Sequence, residues 1–324
     1  MNPPLELPAL NGLDPLGFLA ALGLIRLLHD HTDQRPRLSF DEHTAIARLH
    51  SSLNSIDDVV TTLVDIVSAI PEDGVIPAVP ATFPLGKEGV GADPMRVKRA
   101  DYRPWAQQLL SHTPTAAQQS WLAALVTDLA ADTEGRAALT PFTAPAGQQS
   151  LRSAFVKPLA EVRKAPTDRL TEALTRWRRI SGYTGEYLDH RAPRGGADHP
   201  TGKAGTAGVP GATWLALMAL PILRLTGNGN RPRATLWHTL PKNKPTMIWP
   251  IWRPALNLPA IQTLLEHSAL IPANDNGTLT VSRCHWKPLG VFAIGSAIRQ
   301  PTDGGKSAGV LTPHLIRTSH SAPQ

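Results

Sequence analysis

Apolar residues recur at helical spacing from the first part of the chain onward. Asp14 and Pro15 are typical of an N-cap and a first helical turn, and Leu16–Leu28 is apolar on nearly every side. A helix of this kind packs at the centre of a core. Because each glycine lowers helix propensity, Gly17 and Gly23 predict that a neighbouring element approaches this helix closely.

The same spacing predicts further helices downstream. Ser55 is expected to cap a helix whose apolar positions run from Ile56 to Ile70, and a short hairpin over Arg37–Phe40 and Thr44–Leu49 is expected before it. The remaining predicted helices cover 116–132, a segment from Thr167 through Arg179, and Thr213–Leu225, where Pro221 should interrupt the regular hydrogen bonding.

The pattern then changes to short strands, namely TLWHTL, TMIWPIW, TLTVSRCHW and LGVFAIGSAI, with one short helix around Ile261–His267. The sequence therefore predicts an α+β fold with a helical N-terminal two-thirds and a strand-rich C-terminal part. We divide it into an acidic, mostly helical region (1–90), a helical region with a basic glycine-rich loop (91–211), a helix plus strand-rich region (212–300) and a partly disordered tail (301–324).

Composition narrows the class of protein. Of the 324 residues 42% are hydrophobic, which is enough for a substantial core. The single cysteine, Cys284, excludes an internal disulfide and a cysteine-based zinc cluster, and we expect it to be a small buried hydrophobe. The start lacks the pattern of a signal peptide, and the two long apolar runs are too short to span a bilayer. These features predict a cytoplasmic protein that does not bind a membrane.

Formal charge is segregated along the chain. Residues 1–90 contain 5 basic and 12 acidic residues, residues 91–200 contain 15 and 11, and residues 201–324 contain 12 and 3. The net charge of these segments is therefore −7, +4 and +9. This distribution predicts a polar molecule, with one end facing a basic protein or solvent and the other facing phosphate. The alternative is a generally basic protein from an arginine-rich proteome.

The stretch from Arg176 to Gly211 combines basic residues, two tyrosines and eight glycines. Basic side chains bind phosphates, tyrosine rings stack on bases, and glycines allow close backbone approach. The alternative is a connector whose arginines serve solubility. The nucleic-acid-binding candidates in this stretch are Arg176, Arg178, Arg179, Tyr183, Tyr187, Arg191, Arg194 and Lys203.

A second basic cluster ends the proline- and glycine-rich segment 71–104. Tyr102 and Trp105 lie beside its charged residues, which makes it another candidate nucleic-acid surface, although charge runs in loops are often merely solvated. The candidates here are Arg96, Lys98, Arg99 and Arg103.

Catalytic motifs give little support for an enzyme. The chain contains no GxxxxGK[ST] loop, no GxGxxG after a strand and no HExxH. Two Asp-His pairs, Asp189-His190 and Asp198-His199, could hold a divalent ion with Glu186, because carboxylates and imidazoles bind metals that activate water. We expect no catalytic residues, no metal and no cofactor, and structural hydrogen bonds or phosphate contacts at these pairs instead.

Ten positions of LELPALNGLDPLGFLAALGLIRLL follow a pattern of Leu-x-Gly-x-x-Pro-Leu and then Leu-x-Ala-Leu-Gly-(Leu/Val)-x-Arg. They are Leu10, Gly12, Pro15, Leu16, Leu19, Ala21, Leu22, Gly23, Leu24 and Arg26. This segment resembles the start of CRISPR-associated proteins of the type I-G (formerly I-U) group, whose large-subunit members carry it. The likeness covers under a tenth of the chain, which is short for a typical large subunit. It implies a reduced large subunit of a type I effector (Cascade) complex or an accessory protein.

The resemblance implies a function and a set of partners. It implies a non-catalytic nucleic-acid-binding subunit of an RNA-guided complex that contacts target DNA and its flanking motif and stabilises the opened strands. The implied partners are DNA, guide RNA and other CRISPR effector subunits. Two other classes stay open: a metal-dependent nuclease or phosphohydrolase using the Asp-His pairs, and a protein-binding adaptor whose acidic first quarter docks a basic partner.

Overall fold

The computed structural model describes residues 3–81, 97–110, 115–132, 134–144, 151–195, 205–239, 244–275, 278–301 and 309–319. The α-helices in these ranges are α1 (Pro15–His31), α2 (Ile56–Ser68), α3 (Tyr102–Leu109), α4 (Ala116–Leu125), α5 (Leu151–Lys164), α6 (Pro166–Thr175), α7 (Pro210–Met218) and α8 (Leu258–Leu265). Short 3-10 helices lie at Arg99–Asp101, Gly185–Tyr187, Leu220–Ile222 and Ser268–Leu270.

Strands occur throughout the same ranges. They are β1 (Leu5–Asn11), β2 (Arg37–Phe40), β3 (Ile46–His50), β4 (Val126–Ala131), β5 (Ala137–Leu139), β6 (Ile180–Ser181), β7 (Pro193–Arg194), β8 (Gly205–Gly208), β9 (Leu225–Gly227), β10 (Pro232–Ala234), β11 (Trp237–His238), β12 (Thr246–Trp252), β13 (Leu256–Asn257), β14 (Ala273–Asp275), β15 (Thr278–Ser282), β16 (Val291–Gln300), β17 (Val310–Pro313) and β18 (Arg317–Ser319).

Two four-stranded antiparallel sheets form the largest β-structures described. One has the strand order β1-β3-β2-β13 and the other β11-β12-β16-β17. Smaller sheets have the orders β14-β15-β18 and β6-β8-β7, and the pairs β4-β5 and β9-β10 complete the set. Because β13 joins a sheet whose other strands precede residue 51, residues 256–257 are packed against the first part of the chain.

Helices α1 and α7 cross at the centre of the core. Asp14 caps α1 by accepting hydrogen bonds from the backbone N–H groups of Leu16 and Gly17. A Cβ atom placed on Gly23 would lie 1.7 Å from the backbone oxygen of Leu215 on α7, and one on Gly17 would lie 2.4 Å from the oxygen of Asn11. The prediction of a close approach at both glycines is confirmed.

Four aromatic rings join α1 to both large sheets. Phe18 stacks on Trp249 with ring centroids 5.5 Å apart, and Trp252 meets Phe40 edge-on at 5.0 Å. The indole N–H of Trp249 donates to the Gly12 oxygen at 2.7 Å. Trp252 likewise donates to the Leu38 oxygen at 2.9 Å, so both buried tryptophans are core residues with satisfied hydrogen bonds.

The predicted segregation of helices and strands is wrong, although the fold is α+β. Three strands precede α2, and the strands are spread along the chain instead of being concentrated in its last third. The predicted helix over 116–132 ends at Leu125, and β-branched Val126 and Thr127 begin a strand that pairs with β5. Apolar spacing alone could not distinguish the two, because both elements bury one face here.

Other boundaries also differ from the predictions. Helix α6 ends at Thr175, so Arg176 and Arg179 lie beyond it, and the backbone of Arg176 is extended. Within the tail, which we expected to be partly disordered, Val310–Pro313 and Arg317–Ser319 form β17 and β18. Cys284 is exposed, not buried. The Ser55 cap, the β2-β3 hairpin and the end of α7 before Pro221 are confirmed.

One apolar core contains residues from Leu7 through Leu311 in sequence. All three regions that we defined within positions 1–300 contribute to it. None of the helices in the described ranges combines the length and the apolarity that are needed to cross a bilayer.

Candidate nucleic-acid interface

The loop that follows α6 is held by a buried ion pair. Arg179 donates to both carboxylate oxygens of Asp189, at 2.5 and 3.1 Å, and also to the backbone oxygen of Ala207 at 2.9 Å. Asp189 is 1% exposed and also accepts from the backbone N–H of Arg191 at 3.0 Å. Arg179 therefore links Asp189 to Ala207 of β8, and its guanidinium is not available to a phosphate.

Backbone strain marks the middle of this loop. Glu186 and Tyr187 have φ angles of +47° and +62°, which non-glycine residues adopt at a cost of about 1–3 kcal/mol. Arg299 on β16 compensates by donating to the Tyr187 oxygen at 2.7 Å. The same guanidinium also bonds the backbone oxygens of Gly309, Pro141 and Phe142. Burial lowers the pKa of Arg299 to about 10, so it remains charged at neutral pH.

Burial decides the roles of the two candidate tyrosines. Tyr183 is 7% exposed, and burial raises the pKa of its phenol well above the usual value. Its ring therefore has no free face for a base. We predicted that Tyr183 stacks on a base, but it is a residue of the core. Tyr187 is half-buried, so only part of its ring is accessible.

Asp14 connects the start of α1 to this loop. Besides capping α1, it faces Nη2 of Arg191 at 3.3 Å and Nδ1 of His190 at 4.0 Å. Burial raises the pKa of Asp14, and the Gly17 N–H and the two basic neighbours oppose that rise. Burial also lowers the pKa of His190, whose Nε2 accepts from Arg191 at 3.3 Å. These contacts link His190 and Arg191 to the N-terminus of α1 through Asp14.

Of the two Asp-His pairs that could hold a metal, only Asp189-His190 lies within the described residues. Asp189 is bound to Arg179 and His190 faces Asp14, while Asp198 and His199 lie outside the described residues. Within the described ranges, no group of three or more His, Cys, Asp or Glu side chains is arranged to hold a metal ion.

Four arginines of the first stretch remain exposed around the anchored loop. They are Arg176, Arg178, Arg191 and Arg194. Arg178 is 75% exposed with a 3.4 Å contact to Glu172, and Arg191 is 60% exposed despite its contact with Asp14. Exposed ion pairs of this kind contribute little to stability and can exchange for phosphate. Lys203 lies outside the described residues.

The second basic cluster packs beside β4. The Lys98 ammonium donates to the Glu134 oxygen, and Arg103, although 80% exposed, pairs with Asp128 at 2.9 Å. Arg99 donates to the Asp128 oxygen at 2.7 Å and to the Gly229 oxygen at 3.2 Å. Arg96 lies outside the described residues. The structure does not bring this cluster into contact with the 176–194 loop through any hydrogen bond or ion pair of the residues that it describes.

Sequence reasoning missed a third basic site beside the second one. The β9-β10 hairpin carries exposed Arg231 and Arg233, and its turn packs on β4 because the Gly229 N–H donates to the Leu129 oxygen at 2.8 Å. Asn228 shapes the turn by accepting from the N–H groups of Asn230 and Arg231. The run NRPR within the +9 segment was the available signal.

His238 lies next to this hairpin on β11, and we expect it to make the stability of the protein depend on pH. Burial lowers its pKa to about 4, below the ordinary value of 6.5. The unfolded chain therefore binds the proton more readily, and stability is expected to fall as pH drops from about 6.5 to about 4. The expected loss in the free energy of unfolding is on the order of 3 kcal/mol, because each unit of difference between the two pKa values corresponds to about 1.4 kcal/mol. Urea unfolding of His238→Gln should show a smaller loss across this range; an unchanged loss would assign the effect to other groups.

No protein-family model and no curated protein matches the chain.

Proposed function

We propose that the chain is a non-catalytic nucleic-acid-binding subunit of an RNA-guided CRISPR effector complex, in which it contacts target DNA and its flanking motif and stabilises the opened strands. The observation that carries the nucleic-acid part is the set of exposed arginines on the anchored 176–194 loop. The CRISPR part rests on the resemblance of the β1-α1 segment alone.

The anchoring of the loop supports binding more than a connector role. A passive spacer needs neither a buried ion pair nor a buried guanidinium that fixes its backbone, and this loop has both in Arg179–Asp189 and Arg299. A loop ordered before binding loses less conformational entropy when a ligand arrives. Arg191 and Arg194 thus project from a fixed frame, which suits phosphate contacts that set the position of a strand.

The second basic cluster supports the same function from another face. The three basic residues described here, Lys98, Arg99 and Arg103, are exposed to solvent. Their charged groups nevertheless already bond backbone oxygens or the Asp128 carboxylate. Part of their charge is thereby neutralised. We therefore assign the principal phosphate contacts to Arg176, Arg178, Arg191 and Arg194.

Replacing Arg191 and Arg194 together by alanine is expected to weaken nucleic-acid binding and to flatten its salt dependence. Each lost phosphate contact should reduce the slope of log K against log salt by about 0.9 for duplex or 0.7 for a single strand. Fluorescence anisotropy with labelled DNA and RNA measures both quantities. The matched control is Arg35→Ala with Arg37→Ala, which removes two exposed positive charges elsewhere.

Three results would each contradict a part of this proposal. Equal affinity of the two double variants would make the loop a connector, provided that both melt like the wild type. Cleavage of the labelled strand by the pure wild type with Mg²⁺ or Mn²⁺ would contradict the non-catalytic part. Failure of the chain to purify with guide RNA and other effector subunits from its own cells would contradict the CRISPR part.

A further inference from the structure

A groove lies between the β9-β10 hairpin and the end of α8. Its volume is about 880 Å³, within the range of about 300–1,000 Å³ that is usual for ligand sites. The apolar part of its lining is formed by Leu236, Ile248, Leu265, Leu270, Ile271 and Ile294. Arg224, Arg231 and Arg233 also line it, so the groove combines an apolar surface with cations.

The groove is lined by three arginines and one carboxylate, so its charge is predominantly positive. Its single carboxylate, Glu266, is occupied, since it pairs with Arg224 at 2.8 Å and accepts from the Thr235 hydroxyl at 3.0 Å. Arg231 and Arg233 are exposed, and no described residue forms an ion pair with either guanidinium. The ion pair between Arg224 and Glu266 connects the hairpin to the end of α8. Arg231 and Arg233 are then the arginines that could bind an anion in the groove.

The positive surface continues past the groove. The hairpin turn is bonded to Arg99 through the Gly229 oxygen, and Arg99 is next to Lys98 and close along the chain to Arg103. Residues 201–324 as a whole contain 12 basic and 3 acidic residues. A free mononucleotide needs only one phosphate site, whereas a chain of phosphates matches a basic surface that extends beyond the groove.

We propose that this groove holds bases of single-stranded nucleic acid, with Arg231 and Arg233 on the adjoining phosphates. The inference deepens the proposed function by adding a second contact that selects single strands. A duplex keeps its bases stacked inside and presents phosphates and groove edges, so it cannot fill a concave apolar surface. Half-buried Trp237 and His238 on β11 line the same groove and offer ring surface to an unstacked base.

The test measures the affinity of a labelled oligo-dT strand, about twelve nucleotides long, for the full-length protein. Arg231→Ala with Arg233→Ala should lower affinity about tenfold at moderate salt and reduce the salt slope by about 1.4, for two single-strand phosphate contacts. Ile271, 57% exposed at the groove, allows a second test that leaves the core intact. Ile271→Glu should weaken binding, whereas Ile271→Lys should not.

Location is tested with an oligonucleotide that contains 5-iodouracil, which crosslinks to nearby aromatic side chains on irradiation. The expected crosslinked peptide contains Trp237 or His238. A crosslink confined to other segments, or unchanged affinity in both the arginine double variant and Ile271→Glu, would overturn the inference. Equal competition by hairpin duplex, by dTMP or by poly-glutamate would also overturn it, in favour of a duplex, a free nucleotide or an acidic protein respectively.

The outcome separates this inference from the proposed function. Absence of any wild-type binding to DNA or RNA would contradict both. Binding lost in the Arg191/Arg194 variant and kept in the Arg231/Arg233 variant would contradict the groove alone. The reverse result would support the groove and remove the 176–194 loop from the interface.

Discussion

Gly23→Ala is expected to destabilise the protein by at least about 3 kcal/mol, the upper part of the range for overpacking a core. The added Cβ would lie 1.7 Å from the Leu215 oxygen and 2.7 Å from its carbonyl carbon. Both contacts are with backbone, so a side-chain rotation cannot relieve them, and α1 must move away from α7. Urea unfolding measures the change in the free energy of unfolding.

The sign of this effect is diagnostic because helix propensity predicts the opposite. Alanine is favoured over glycine in a helix by about 1 kcal/mol, so without the α7 contact the substitution would stabilise α1. Ala160→Gly on the exposed side of α5 provides the matched control and should lose about 1 kcal/mol. A Gly23→Ala protein as stable as the wild type would contradict the close crossing of the two helices.

Arg299→Met is expected to destabilise the protein by about 3 kcal/mol and to loosen the 185–194 loop. The variant leaves four backbone oxygens without the guanidinium that now bonds them at 2.7–3.1 Å, and hydrogen bonds to charged groups contribute about 1.5–3 kcal/mol each. Relief from burying a charge offsets part of that sum. The oxygen of strained Tyr187 loses its partner, so the loop should open more often.

Limited trypsin digestion reports this opening, since trypsin cleaves after arginine and Arg191 is in the loop. Cleavage after Arg191 in the folded protein should be faster in Arg299→Met than in the wild type. Arg317→Met, at an exposed site on β18, should change stability by less than about 0.5 kcal/mol and leave cleavage unchanged. Lower stability of Arg299→Met with wild-type cleavage would show that Arg299 does not hold the loop.

Local signals predicted the helices that have a cap or a breaker. Asp14-Pro15 and Ser55 form hydrogen bonds within a few residues, and Pro221 ends a helix by its own geometry, so each acts locally. Val126–Ala131 could not be predicted in the same way, because its strand depends on pairing with β5 and contact with β9. The pairing of β1 with β3 likewise depends on contacts that are distant in sequence, such as Leu5 with Leu49, 44 positions apart.

The candidate site was predictable in its charges and not in its geometry. The basic character of Arg191 and Arg194 follows from composition, and both are exposed. Burial of Tyr183 and pairing of Arg179 with Asp189 depend on how the loop folds against β8 and α7. The motif residues Gly12, Gly23 and Arg26 have packing roles: Arg26, for example, donates to the Met218 oxygen at 2.9 Å and lies over the Trp121 ring.

The salt dependence of nucleic-acid binding by the wild-type protein tests the central claim most directly. Four exposed arginines on the 176–194 loop, at about 0.7 per phosphate, predict a slope of log K against log salt near −3 for a single strand. Contacts in the groove would make it steeper. A slope near zero between low and high salt, or no binding by the chain alone or within its complex, would contradict the account.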